Sequence, residues 1–455
     1  MAGLLRAEAI LASKDIHLPA GAAAYWSGKN GDSLRTGSSP AVAPSKLDVG
    51  PSWSWQAENG GLVRAAPLID GEQNIYISEI NGGIHKLSRD GKTLWNYTAG
   101  HSIPEVPALL DGTIYAATVA GQVLALDTAS GKERWRRSIG AKTSGDTWSI
   151  SAAEGVVVAA FVEGIAEANN RIVGLDAATG DHKWTFDLQM PVYNLLAAIK
   201  DGSLVFADCA GQVFRLELAT GKQVWRALPP QLPGQSTGGA VVGADGVVYV
   251  TSNTLLNPLI NLGMAMTLTT LQYGRVSAYD FQTGKQLWTR GVGLQANNAA
   301  AVGRLDPSSR RLSLVLGLGA NPNPPQIAKG ALGGAISAEK PGRVIALDAE
   351  TGNTIWSYNL PMWHGAAAGD TNMHLCLPDS FSNPAIAGDG TIYIGSMNGR
   401  LYAIKDKDGN GTIEESAGEV SSYDTGNAFQ GSPAVAPGLL LAAPCNGLHA
   451  FLARR

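Results

Sequence analysis

At 455 residues, with 56 glycines and only 16% charged residues, the chain can build a large core from short strands and tight turns, and it lacks the composition of long amphipathic helices. A net charge of −4 without Lys or Arg clusters excludes a nucleic-acid surface, and no run of about 20 apolar residues is present to span a membrane. Three scattered cysteines, Cys209, Cys376 and Cys445, make neither a disulfide framework nor a zinc knuckle, so buried or free thiols are expected.

Residues 1–50 carry no repeat and are expected to form an irregular segment. The opening MAGLLRAEAILASKDI has acidic residues inside a weakly apolar run, which does not fit a signal peptide. The polar, Gly-rich stretch from Tyr25 to Pro40 is expected to lie as a coil across the body. SWSWQ at 52–56 then reads as a return strand with no partner before it.

From Arg64 onward, small apolar segments ending in turns recur eight times: AAPLIDG, VPALLDG, ISAAEG, LAAIKDG, GGAVVGADG, NAAAVGRLD, NPAIAGDG and SPAVAPG. Each leads into a β-rich second strand such as IYIS or VVYVT. A hairpin follows, written VLALDTASGKERW up to Trp135 and repeated up to Trp184, Trp225, Trp288 and Trp356, with a shorter copy ending at Trp95. In all six the glycine (Gly91, Gly131, Gly180, Gly221, Gly284, Gly352) stands four residues before the tryptophan. Alternation marks a half-buried strand, the acidic residue can accept bonds from the turn backbone, and glycine supplies the positive φ that reverses the chain. A tryptophan that buries ~150–250 Å² at a fixed register implies docking against the neighbouring unit.

Four strands per unit is the arithmetic of a propeller blade. The eighth unit stops after its third strand, LHAFL at 448–452, and the orphan strand at 52–56 supplies the fourth, which removes an open edge. The expected fold is therefore all-β. It is an eight-bladed β-propeller over residues 51–455 with four-stranded antiparallel blades at about 60–98, 101–138, 145–188, 192–228, 235–291, 295–360, 380–426, and 429–453 plus 51–56. Blade seven departs from the pattern, with Ser422 where the tryptophan would stand.

The DxxTGxxxW hairpin, the GxLxAL-type third strand and the opening Trp26, Gly31, Arg35, Thr36, Gly37, Ser39 and Pro40 resemble the pyrroloquinoline-quinone-like (PQQ-like) β-propeller repeat family, over residues ~25 to 453. That family holds quinoprotein alcohol dehydrogenases and non-enzymatic scaffolds of the BamB type, so the resemblance speaks for fold more than for function. It implies that a quinone enzyme would carry an adjacent cysteine pair and often a CxxCH motif. Neither occurs here, and a bound quinone is not expected. A BamB-type lipoprotein would carry a lipobox cysteine, but the first cysteine is Cys209. The family is often extracytoplasmic, and the compartment is left open.

Long insertions concentrate on one face: Asn253–Tyr273 and Leu318–Pro341 between second and third strands of blades five and six, and Pro361–Phe381 between blades six and seven. On that face the strand entrances add Arg64, Glu105, Trp148, Asn194, Asn297, Asn298, Asn383 and Gln430 around the channel mouth, a preferred ligand position. The third insertion brings Trp363, His364, Asp370, His374, Cys376 and Asp379 together. Its histidines and acids are candidates for metal or general-base chemistry, although no ligand spacing is matched. On the opposite face DKDGNGTIEE places Asp406, Asp408, Asn410 and Thr412 at EF-hand-type positions, with Glu414 as a partial substitute for the missing closing Glu, so calcium is a candidate ion. The reading drawn from these features is a monomeric, non-catalytic propeller that binds a protein partner or an extended ligand on the inserted face. The alternative is an enzyme at the channel mouth, such as a divergent quinoprotein oxidoreductase.

Overall fold

The computed structural model describes residues 24–57, 60–144, 149–164, 166, 168–229, 234–236, 239–255, 272–322, 340–370 and 380–453. Short turns and alternating apolar residues give eight antiparallel sheets in chain order, which form an eight-bladed propeller. Blade two shows the plan: an innermost strand Ala108–Leu110, then Thr113–Thr118, Gln122–Asp127 and an outer Glu133–Ser138. Burial is concentrated on the second strands, as in Val156–Phe161, where every residue is buried between neighbouring blades. Outer strands alternate, and their tryptophans turn inward.

The ring closes as expected. Trp53–Trp55 pairs antiparallel with Leu448–Leu452, Trp53 opposite Ala450 and Trp55 opposite Leu448. The fixed glycine-to-tryptophan spacing has a direct structural cause. The rings of Trp53, Trp95, Trp135, Trp184, Trp225 and Trp288 lie on the turn glycine of the following blade, whereas Trp356 meets no such glycine in blade seven; a Cβ on Gly91, Gly131, Gly180, Gly221, Gly284 or Gly352 would fall 2.6–2.8 Å from its nearest contact, a tryptophan ring carbon at five of the six and the Arg290 side chain at Gly352. Trp95, Trp135 and Trp184 donate their Nε1–H to Thr128, Ala177 and Leu218 carbonyls of that next turn, at 3.0, 3.1 and 2.7 Å. Blade seven lacks this device because the next blade's fourth strand comes from the other end of the chain and brings no such turn. Tyr423 instead packs edge-on against His449 and Phe451 of blade eight.

The N-terminal segment differs in part from a coil. Ala24–Trp26 forms a strand on the inner edge of blade one, with Trp26 opposite Ile69. The chain then circles inside the channel. The carbonyls of Ser27, Ser33, Leu34, Thr36, Gly37, Ala41 and Val42 accept the amides of Leu109, Ile199, Val242, Val302, Ile386, Gly388 and Gly438, one blade after another. Arg35 reaches blade three, donating to Ile150 O and Ser151 Oγ, and also to Ala197 O of blade four. Innermost strands expose an edge of unpaired amides to the channel, and this segment satisfies them. Its bonds fall at the middle and far ends of those strands, away from the insertions, so it fills the channel at that end.

Cys445 is disulfide-bonded, which corrects the expectation of buried or free thiols, while Cys209 is free. Spacing along the chain carries no record of which segments a closed ring makes neighbours.

Candidate functional site

Because strands alternate in direction, the connections between blades and those between second and third strands share one face. The entrance residues of the channel lie there. Glu105 is fully buried, and its Oε1 accepts the amide of Ala117. Burial pushes its carboxyl well above the usual range, and Oε2 meets no partner among the described residues. Asn194 Oδ1 and Asn383 Nδ2 are likewise buried without a described partner. Asn297 is part of a network: its Oδ1 accepts from Asn253 Nδ2 at 2.6 Å and its Nδ2 donates to Asn321 Oδ1 at 3.0 Å. Asn298 donates to the Phe381 carbonyl, and Gln430 Oε1 lies 4.0 Å from Cys445 Sγ. Arg64 is buried at the entrance of blade one. The structure therefore spreads these groups around the mouth, and among the described residues the asparagines of blades five and six join directly.

In the third insertion, Trp363 donates its Nε1–H to the Ala366 carbonyl at 2.8 Å, His364 is exposed, and Asp370 is half-buried at the turn that follows. Trp148, His374 and Asp379 lie outside the described residues. Sequence reasoning missed Lys340, at the start of the third strand of blade six opposite Trp363. It is 1% exposed, and burial pushes its amine down to about 8. A lone lysine in small-residue text gives no signal of such burial.

On the opposite face the blade-seven hairpin draws Asp406, Asp408 and Glu419 together, with carboxylate oxygens within 4.8 Å of one another. Asn410 and Thr412 shape the turn, with Asn410 Oδ1 accepting the Thr412 amide at 2.7 Å. Glu414, expected as the compensating acid, contributes its backbone amide, which donates to Glu419 Oε2 at 2.9 Å. Glu419 comes two residues after the expected closing position because the 3-10 turn Glu415–Ala417 lengthens the loop. Three carboxylates this close can hold a hard cation.

The inserted face also carries apolar side chains in solvent. Val119, Met190, Tyr193, Leu228, Tyr273 and Met362 are between 36% and 59% exposed, and together they cover blades two to six. Leu94, Val224, Leu287 and Ile355, each one residue before a repeat tryptophan, sit singly on the outer rim nearer the other end.

A family model described as outer membrane protein assembly factor BamB matches overlapping segments from residue 52 to residue 440. The chain belongs to the PQQ-like, BamB-like propeller repeat family. Within it, a curated BamB of Burkholderia pseudomallei is 26% identical over 247 residues, 51% of this chain and 56% of the relative. The chain thus spans little more than half the length of that relative. The crystal structure of BamB from Moraxella catarrhalis superposes with a TM-score of 0.58 at 17% identity, over 89% of this chain and 98% of that one. The quinohemoprotein alcohol dehydrogenase of Comamonas testosteroni superposes with a TM-score of 0.64 at 15% identity, over 100% of this chain and 84% of that one. Likeness at these identities shows the PQQ-like fold alone.

The quinone that gives the family its name is anionic and is held with a divalent cation. At the mouth of this propeller Glu105 is hydrogen-bonded and driven toward its neutral form. The described carboxylates able to share a metal are on the other face. Among the described residues of the mouth, no such set of carboxylates is brought together.

Proposed function

We propose that this chain is a non-catalytic binding propeller whose protein partner docks on the face bearing the insertions of blades five to seven. The observation that carries this reading is the row of exposed apolar side chains that this face carries across blades two to six, from Val119 to Met362. The N-terminal segment fills the channel from the other end, which leaves this face as the approach to the mouth. Similarity to outer membrane protein assembly factors supports an assembly or scaffold role, and the disulfide at Cys445 fits an oxidising compartment.

A photo-crosslinking residue at Leu228 or Met362 is expected to capture the partner in the source organism, whereas one at Leu94 or Val224 is not. Equal capture from both pairs, or none from the first, would sink the proposal. The buried Lys340 amine favours a second reading, an enzyme at the mouth. A stoichiometric chromophore or transition metal in the purified protein would support it, and a featureless spectrum would remove its redox form.

A further inference from the structure

The third and outer strands of the blades carry arginines in the half nearest the inserted face, and those of blades two, three and seven are neutralised within their own blade. Arg171 of blade three stands directly opposite Asp187 and pairs with it at 2.6 Å. Arg400 of blade seven stands directly opposite Asp424 and pairs with it at 3.4 Å. Arg136 of blade two pairs with Glu133 at 2.9 Å.

Blade six keeps the arginine and changes its partner. Arg343 stands opposite Asn359, and its Nε donates to Asn359 Oδ1 at 2.8 Å. In blade four, Arg226 donates to Gln189 Oε1 at 3.3 Å and lies 5.7 Å over the Phe214 ring. Asp208 feels the charge of Arg226 but forms no ion pair with it, its carboxyl being buried and held by the amides of Ala210 and Gln212 and by the Gln212 side chain. An amide oxygen accepts a guanidinium hydrogen bond and leaves the positive charge standing, whereas a carboxylate cancels it. Exposed apolar groups sit beside both arginines. Leu228 follows Arg226 by two residues, and Met362 lies three residues beyond Asn359 on the same strand.

We infer that the partner segment received by this face is acidic as well as apolar, its carboxylates taken by Arg226 and Arg343 and its apolar side chains laid on Leu228 and Met362. This rests on the docking face proposed above. Charge complementarity selects this occupant: Arg226 and Arg343, which form no ion pair among the described residues, flank the exposed side chains, while the arginines of blades two, three and seven are already matched.

Short fluorescent peptides alternating Leu with Glu, Gln or Lys, titrated against the full chain and read by anisotropy, test it. The Glu peptide is expected to bind more tightly than the Gln peptide, and the Lys peptide not at all. Arg226→Glu with Arg343→Glu should weaken the Glu peptide roughly tenfold or more and admit the Lys peptide. Arg226→Gln with Arg343→Gln should give a smaller loss in the same direction. Asn359→Asp, which rebuilds in blade six the pairing seen in blade three, should also weaken the Glu peptide without disturbing the fold. Equal binding of Glu and Gln peptides, or indifference to both Asn359→Asp and the double reversal, overturns the inference. If the two peptides bind equally and Leu228→Asp abolishes both, the docking face stands while its preference for acid falls.

Discussion

Replacing Gly221 by Ala tests the tryptophan docking that holds neighbouring blades in register, and Gly202→Ala supplies its control. Both glycines have nearly the same left-handed backbone, with φ of +70° and +68°. A Cβ at Gly202 meets nothing within 4 Å, whereas at Gly221 it falls 2.6 Å from Trp184 Cδ2 and 2.7 Å from Cε3. The backbone cost of alanine at such a φ is about 1–2 kcal/mol, partly offset by the stiffer unfolded chain, so Gly202→Ala should lose about 1 kcal/mol. At Gly221 the same cost is joined by an overlap roughly 1 Å inside ordinary carbon contact, worth about 1–3 kcal/mol. Retreat of the indole also strains its 2.7 Å bond to the Leu218 carbonyl, worth ~1 kcal/mol. Gly221→Ala should therefore lose about 3–5 kcal/mol, measured by urea unfolding followed through tryptophan fluorescence. Equal losses in the two variants would refute the docking account.

Glu105→Gln keeps an acceptor for the Ala117 amide and removes a carboxyl whose folded pKa is raised by burial. A raised carboxyl contributes stability that is fully present below its unfolded value of ~4.3 and is lost as pH climbs toward the folded value. The variant should therefore gain on the wild type as pH goes from 4 to 8, by ~1 kcal/mol or more; a pH-independent difference in denaturant midpoints would contradict this. Arg35→Met leaves the Lys29, Ile150 and Ala197 carbonyls without their guanidinium donors, a loss on the order of 3 kcal/mol. Limited proteolysis should then cut within residues 24–42 while the blades stay intact, and resistance equal to wild type would argue against the segment's dependence on Arg35.

How much of this was legible in the chain depends on the range of each interaction. The eight blades and their closure could be read because a hairpin is a local object. The glycine of one unit and the tryptophan of the previous one are separate residues, but both carry the same phase in every repeat, so the contact between them leaves a periodic trace. The N-terminal segment leaves none. Its partners are one amide from nearly every blade, and any residue except proline can offer an amide, so no side-chain text records that Ser33 faces Ile199 or that Thr36 faces Val302. Glu419 was missed for a related reason: a single 3-10 turn moves the acid out of the expected spacing while leaving its carboxylate beside Asp406 and Asp408. The site is harder still, because what distinguishes blade six from blade three is one amide in place of one acid opposite an arginine. Along the sequence Asn359 is an ordinary polar residue on an outer strand. Only the register that sets it against Arg343, as Asp187 is set against Arg171, turns that substitution into a charge left over for something outside the chain.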